Sequence, residues 1–343
     1  MTLPASADVV IVGGGVMGAS TAFHLAEAGV DVVLVERGEL SGGSTSRAAG
    51  GVRANFSDEL NIMLGKRSLD LFADFAQRPG QEIDLHRSGY LFVLTRPEDV
   101  ELFTASVALQ NSLGVESRMV DADEACRLSP LLDPEGVLAA AWSPNDGHCT
   151  PESVVLGYAT GARRLGATVR TGVACIGIST AGGEITGVQT SDGDVATGCV
   201  IDCAGAWSPQ IAAYVGVDLP VTPYKRELLI TEPLSEPIDM AFTIDYATSL
   251  YWHREGPAIL TGFSRKGVEP SWETSRDADF PERLAELAEQ RAPGLLDLGV
   301  RSGWAGLYEV TPDHNALLGE AQAVKRFLYA TGFSGHGFLQ GPA

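Results

Sequence analysis

Gly13, Gly15 and Gly18 fall in the order Gly-x-Gly-x-x-Gly, directly after the apolar run Val9-Val-Ile-Val12. Glu36 closes a second apolar run, Asp31-Val-Val-Leu-Val-Glu36, 18 residues after Gly18. These residue types at this spacing can hold a dinucleotide. The first glycine makes a tight turn, the second lets a pyrophosphate approach the backbone, and the third lets a helix and a strand pack closely. Val16 and Met17 complete the turn, and the helix that starts there offers N–H groups and a positive dipole end to phosphate. Glu36 would accept hydrogen bonds from ribose hydroxyls, with Arg37 beside it. Its charge would repel a 2′-phosphate, which disfavours an NADP-type ligand.

Three further stretches are rich in glycine and small residues. One is the polar, glycine-rich run Gly42-Gly-Ser44-Thr45-Ser46-Arg47-Ala-Ala49-Gly50-Gly51, too polar for an ordinary element and too long for a turn. The second is Val200-Ile-Asp202-Cys-Ala204-Gly205-Ala-Trp207-Ser208, where an apolar strand ends in small residues. The third is Gly332-Phe-Ser334-Gly335-His336-Gly337-Phe338, where the strand 328–331 runs into a glycine turn and a helix start.

The elements that must position these residues follow from periodicity. Two all-apolar strands joined by a helix, with apolar residues at Ala19, Ala22, Phe23 and Ala26, make a right-handed parallel βαβ unit. Gly29 caps that helix. A helix is expected over 58–76 with Leu60, Leu64, Leu71, Phe72 and Phe75 inward, a strand over 89–95, and a helix opened by Pro97 and ended by Gly114. Asp121 and Glu124 form a capping box, and Thr150-Pro151 opens another helix. Beyond residue 167 the period changes to two. Strands are expected at 168–171, 174–179, 185–190 and 195–203, with turns at Gly182-Gly183 and Asp192-Gly193. Strands at 220–231, 248–253 and 258–262 and a helix over 282–291 follow. The fold class is therefore α/β, a Rossmann-like dinucleotide-binding domain interleaved with a second domain on a mixed β-sheet with flanking helices.

Composition excludes several functions. The 343 residues carry a net charge of −20, which opposes sequence-independent binding to nucleic acid or to anionic lipid. No segment reaches the roughly 18 apolar residues of a membrane span. Residues 1–7 carry no Lys or Arg, unlike the charged start of a secretory leader, so a cytoplasmic location is expected. Five cysteines (Cys126, Cys149, Cys175, Cys199 and Cys203) form no CxxC and read as reduced thiols. The six histidines are scattered, and His148, His253 and His314 belong to no motif, so no metal site is expected.

Taken together in this order, the four glycine-rich stretches resemble the FAD-dependent amino acid and amine oxidoreductases of the D-amino acid oxidase type, closest to sarcosine oxidase, glycine oxidase and the flavin subunits of proline dehydrogenase complexes. The resemblance spans nearly the whole chain. It implies FAD as cofactor. The loop 42–51 would run along the pyrophosphate and the flavin ring, Val173 would meet the adenine, and Ala204, Gly205 and Trp207 would pass the diphosphate. The turn at Gly332, Ser334, Gly335, His336 and Gly337 would face the pyrimidine end of the flavin, where helix N–H groups stabilise negative charge on the reduced ring. It also implies a discontinuous FAD domain over 1–85, 150–215 and 300–343, with a substrate domain over 86–149 and 216–299.

The resemblance bears on chemistry too. In monomeric sarcosine oxidase a cysteine bonded to the flavin lies two residues before a tyrosine; here the matching tyrosine is Tyr308 and the position holds Gly306. No histidine occurs near 47–51, where dimethylglycine-type relatives anchor their flavin, so non-covalent FAD is expected. Arg53 falls where relatives hold a substrate carboxylate. Tyr251 and Tyr308 fall on the walls of the family's pocket, and Lys266 is a counterpart of the lysine that promotes oxygen reduction. A second cationic position of the relatives departs, with Leu339 and Gln340 where they place a lysine, which admits a larger or less polar substrate. The expected reaction is oxidation of the C–N bond of an amino acid or N-alkyl amino acid, with O2 or an electron-accepting protein as the second partner and oligomeric state left open. The alternatives are a 2-hydroxy acid or glycerol phosphate-type dehydrogenase, and a flavin subunit of a larger complex. Relatives begin a terminal helix where this sequence reaches Gln340-Gly-Pro-Ala343, so the natural protein is expected to be longer.

Overall fold

The computed structural model describes residues 2–343. A six-stranded sheet runs in the order Leu317–Glu320, Phe327–Thr331, Val200–Asp202, Val9–Val12, Val32–Val35, Thr168–Arg170. Its last five strands are mutually parallel, and only the edge strand Leu317–Glu320 is antiparallel. Every residue of Val9–Val12 and Val32–Val35 is buried, because the sheet is covered on both faces. Val9, Ile11, Val32 and Leu34 pack on the helices Val16–Glu27 and Pro151–Arg164, with Phe23, Phe75 and Tyr158 between them. The alternate residues Val10, Val12, Val33 and Val35 pack on a three-stranded antiparallel sheet, Cys175–Ala181, Glu184–Thr190 and Gly193–Ala196.

The second body is an eight-stranded sheet in the order Val300–Val310, Thr222–Thr231, Ala258–Phe263, Tyr251–Glu255, Phe242–Asp245, Tyr90–Leu94, Ala139–Ser143, Arg118–Val120. Its neighbours are antiparallel except Phe242–Asp245 with Tyr90–Leu94, so the sheet is mixed as expected. Trp252, Ile259 and Phe263 on one face pack on the helix Phe280–Arg291. The other face carries the aromatic cluster of Tyr90, Phe92, Phe103 and Phe242, with Tyr251 against it. The two-residue strands Gly51–Val52 and Gly147–His148 pair between these bodies.

Three expectations are corrected. The expected strand 195–203 is two strands in two sheets, because Thr197 breaks it: its hydroxyl shares its one hydrogen between the Asp8 and Cys199 carbonyls, each at 3.0 Å, and accepts the Cys199 amide at 3.2 Å. Helix Glu59–Ala73, capped by the Asp58 carboxylate on the Asn61 amide, buries Ile62, Gly65, Ser68 and Phe72, while Leu60 is 65% exposed. The strand Val300–Val310 was not foreseen. Its glycines Gly303 and Gly306 and its exposed first residues blur the alternation, yet it pairs along its length with Thr222–Thr231. It belongs to the larger sheet.

Candidate active site and cofactor cradle

One side of the site is built from backbone. Gly13 turns at φ +113° and donates its amide to the Val35 carbonyl at 2.9 Å. A Cβ on Gly18 would lie 1.9 Å from the Gly13 carbonyl oxygen, so only glycine lets the helix pass this close to the strand. Helix Val16–Glu27 begins at Gly15 with no side-chain cap and no acid in its first turn. Its Val16 amide donates to Thr45 Oγ1 at 3.2 Å, which ties the loop after the second strand to the helix end. Glu36 accepts the Gly14 and Gly38 amides, each at 2.7 Å, one on each carboxylate oxygen. Each oxygen keeps a further lone pair for a hydroxyl donor.

A cavity of about 470 Å³ opens on this turn. Of the residues expected at the cofactor, it is lined by Gly13, Gly15, Val16, Met17, Glu36, Arg37, Ser44, Thr45, Arg47, Ala204, Gly205, Trp207, Gly306, Gly335 and Gly337, and by Tyr308. Arg47 donates to the Gly42 and Gly43 carbonyls at 2.7 and 2.8 Å, which closes the glycine loop on itself. Arg37 stacks 4.2 Å over Trp207. Gly306 lies under Arg47, where a Cβ would come within 2.8 Å of the Arg47 Cβ.

The remaining expected residues stand behind this lining. Gly18 supports the turn. Ser46 donates its amide to the Ser41 carbonyl at 3.1 Å, and Gly50 accepts the Cys149 amide at 3.0 Å. Val173 donates to the Glu36 carbonyl at 2.9 Å, which leaves its neighbour Ala174 on the cavity. Ser334 Oγ accepts the Thr311 amide at 3.2 Å, and Gly332 packs on Thr311. Ala49 and Gly51 border the aromatic cluster; a Cβ on Gly51 would strike the Tyr90 hydroxyl at 1.9 Å. The helix after the 332–337 turn is the single turn Gly337–Gln340.

The other side of the site is built from side chains. Arg53 is deeply set, with its guanidinium 4.0 Å from the Phe56 ring, 5.4 Å from Phe92 and 6.0 Å from Tyr90. Its Nη1 donates to the Asn55 carbonyl, and its Nη2 lies 3.4 Å from His336 Nε2. It makes no ion pair among the described residues. Burial lowers the Arg53 pKa, but a guanidinium stays charged in a protein. Burial, then the Arg53 charge, pushes His336 down to about 3, so its imidazole is neutral and accepts from Arg53. His336 thus does more than shape the glycine turn: it orients the arginine.

Tyr308 keeps 36% of its surface accessible although deeply set, because that surface faces the cavity. Tyr251 is half-buried and stacks on Phe242, with burial raising its pKa. Lys266 is not brought to the site. It is exposed beyond the strand Ala258–Phe263 and borders a separate hollow with Arg265, Arg283 and Glu286.

Sequence reasoning missed two charged residues. Arg226 lines the cavity, sits 5.0 Å over the Tyr308 ring and has a buried Nε without a partner. Only the register that pairs Arg226 with Gly306 puts it there. Glu309 lines the cavity behind Gly205, accepts the Phe333 amide at 3.4 Å, and is pushed up to about 7 by burial. Asp202, buried at the end of its strand, accepts from the Ala204 amide and the Ser208 hydroxyl at 2.9 Å each and is likewise pushed up to about 7.

A model of the family "FAD dependent oxidoreductase" matches residues 8–343, and the chain belongs to that family. It is 28% identical to the mitochondrial dimethylglycine dehydrogenase of Rattus norvegicus over 97% of this chain and 41% of that protein. The chain therefore spans about two fifths of the length of such curated relatives. The crystal structure of L-proline dehydrogenase from P. horikoshii superposes with a TM-score of 0.95 at 31% identity, covering 99% of this chain and 91% of that one. Glycine oxidase from Bacillus cereus superposes with a TM-score of 0.85 at 25% identity, covering 98% and 92%. FAD is thus the cofactor, and the cradle fits it. The helix end, with no acid in its first turn, and the glycine turn suit a diphosphate, Glu36 keeps acceptors for ribose hydroxyls, and the cavity continues from them to Gly306, Tyr308 and Gly335. No helix among the described residues is long and apolar enough to cross a membrane.

Proposed function

We propose that this chain oxidises the C–N bond of an amino acid or N-alkyl amino acid. Bound FAD supplies the acceptor for a hydride equivalent from the carbon next to nitrogen. The observation that carries the substrate class is Arg53, a half-buried guanidinium with no ion pair among the described residues. Its fork suits a carboxylate, and the neutral His336 and the aromatic walls of Phe56, Tyr90 and Phe92 fix its plane. Tyr308 and Tyr251 offer faces against which the rest of the substrate would be desolvated. The amine becomes an imine, which water then hydrolyses, so the protein's part is orientation and exclusion of water rather than a catalytic dyad. The names of the relatives, dimethylglycine dehydrogenase, L-proline dehydrogenase and glycine oxidase, support the same class.

Anaerobic mixing with a panel of amino acids, N-methyl amino acids and 2-hydroxy acids tests this. Bleaching of the flavin by amino acids is the expected result; bleaching by hydroxy acids alone overturns it. Two finer points belong to the same reading. FAD is held non-covalently: Gly306 has no thiol to offer, and burial raises the pKa of the Cys203 thiol at the cavity wall, which keeps it protonated and unreactive. Acid precipitation should leave the yellow colour in the supernatant. The absence of Lys266 from the cavity favours transfer of electrons to an acceptor other than O2. Little peroxide should then form in air, while an artificial electron acceptor supports turnover.

A further inference from the structure

Behind the loop 41–51, three side chains that the sequence keeps far apart meet. His148 ends the short strand Gly147–His148, whose partner is Gly51–Val52. His253 and Glu255 lie on the strand Tyr251–Glu255. One ligand atom from each of the three lies within 4.8 Å of the other two. Both histidines are buried and Glu255 is half-buried. The two imidazole centroids are 4.5 Å apart.

His253 carries the argument. Its Nδ1 lies 2.8 Å from the Arg254 carbonyl oxygen, which places the ring N–H there and leaves the lone pair on Nε2. That Nε2 is buried without a hydrogen-bond partner, in a residue with 0% exposure. The Ala49 carbonyl also lies near the ring, so an ion at Nε2 would compete with a proton that this carbonyl could accept. An Nδ1–H bonded to a backbone carbonyl, with Nε2 free, is the arrangement that fixes a metal-ligating histidine. The ring cannot easily turn away, because it stacks on Phe242 at 4.4 Å and 17°. Glu255 forms no ion pair among the described residues, which leaves its carboxylate uncommitted.

We propose that His148, His253 and Glu255 form a binding site for one divalent transition metal ion, with Zn2+ the best chemical match and water as the fourth ligand. Two neutral imidazoles and a carboxylate suit a borderline-soft ion that accepts four ligands. Zn–N and Zn–O distances of about 2.0–2.2 Å require the three atoms to draw together, and Glu255, half-buried near the strand end, has room to move. The ion would clamp the strand that pairs with Gly51–Val52 to the strand that carries Tyr251. It stands behind the flavin loop and takes no part in the redox step.

The test uses tag-free holoenzyme stripped with a chelator, titrated with Co2+ and then with Zn2+. The expected result is visible Co2+ absorption saturating at one equivalent per chain, its displacement by Zn2+, and a higher Tm with Zn2+ bound. Glu255→Gln and His253→Gln should each weaken binding by about 10- to 100-fold or more, with the flavin spectrum unchanged. Should His253→Gln fail to fold, Glu255→Gln decides alone. The absence of Co2+ absorption, or binding by Glu255→Gln as tight as in the wild type, overturns the proposal.

Discussion

The two halves of the site are made in different ways. The cofactor side is a turn of backbone: Gly13–Gly18 and the loop 42–47 are each contiguous in sequence, and Gly13, Gly15, Gly42 and Gly43 line the cavity. The proposed substrate side is assembled from single side chains on distant segments. Arg53 follows one short strand, Tyr251 and Arg226 stand on two different strands of the large sheet, Tyr308 on a third, and His336 on the last turn. A backbone site tolerates changes of side chain but not of space. A side-chain site tolerates small changes of space but depends on which charge and ring each position carries.

Substitutions can break that comparison. The largest effect is expected for Gly18→Val, because its side chain has no room beside the Gly13 carbonyl. The variant should lose essentially all bound flavin, read as absorbance near 450 nm per chain. Next comes Arg53→Met. Loss of a hydrogen bond to a charged group costs about 1.5–3 kcal/mol, so kcat/KM for a carboxylate amine should fall roughly ten- to hundredfold while flavin content stays level. An amine without a carboxylate should lose much less. Flavin loss in Arg53→Met would mean that the two halves are one unit. Tyr308→Phe keeps the ring over Arg226 and should change kcat/KM only severalfold. Lys266→Met should change neither turnover with the best acceptor nor peroxide formation, since the residue does not line the cavity.

The halves also differ in the sign of their pH response. Asp202, on the cofactor side, has its pKa raised from 3.8 to about 7 by burial. Its contribution to stability is present below its unfolded pKa and lost as pH rises through about 7. The stability advantage of the wild type over Asp202→Asn should therefore shrink from pH 4 to 7, measured as Tm of apoprotein. His336, on the proposed substrate side, is lowered from 6.5 to about 3. Its contribution is present above 6.5 and lost as pH falls toward 3, so the advantage over His336→Gln should shrink in the opposite direction. Two curves of the same slope would refute the contrast.

What was legible in the sequence follows the same division. The strand–turn–helix around Gly13–Gly18, the acid at Glu36 and the glycine loops could be read because each works through neighbours in the chain. The helix face around Ile62 was misassigned by counting leucines, since burial there depends on which elements cover it. The run 195–203 looked like one strand because composition does not show the Thr197 turn.

The sequence by itself determined the cofactor cradle, because a diphosphate is held by local backbone and local backbone is specified by glycine spacing. Only the tertiary structure decided the proposed substrate side. It set Arg226 opposite Gly306, turned His336 onto Arg53, placed Lys266 on a separate hollow and brought His148 to His253. Those relations depend on strand register and sheet order, and register shifts which side chain faces the site without leaving a mark in any one segment.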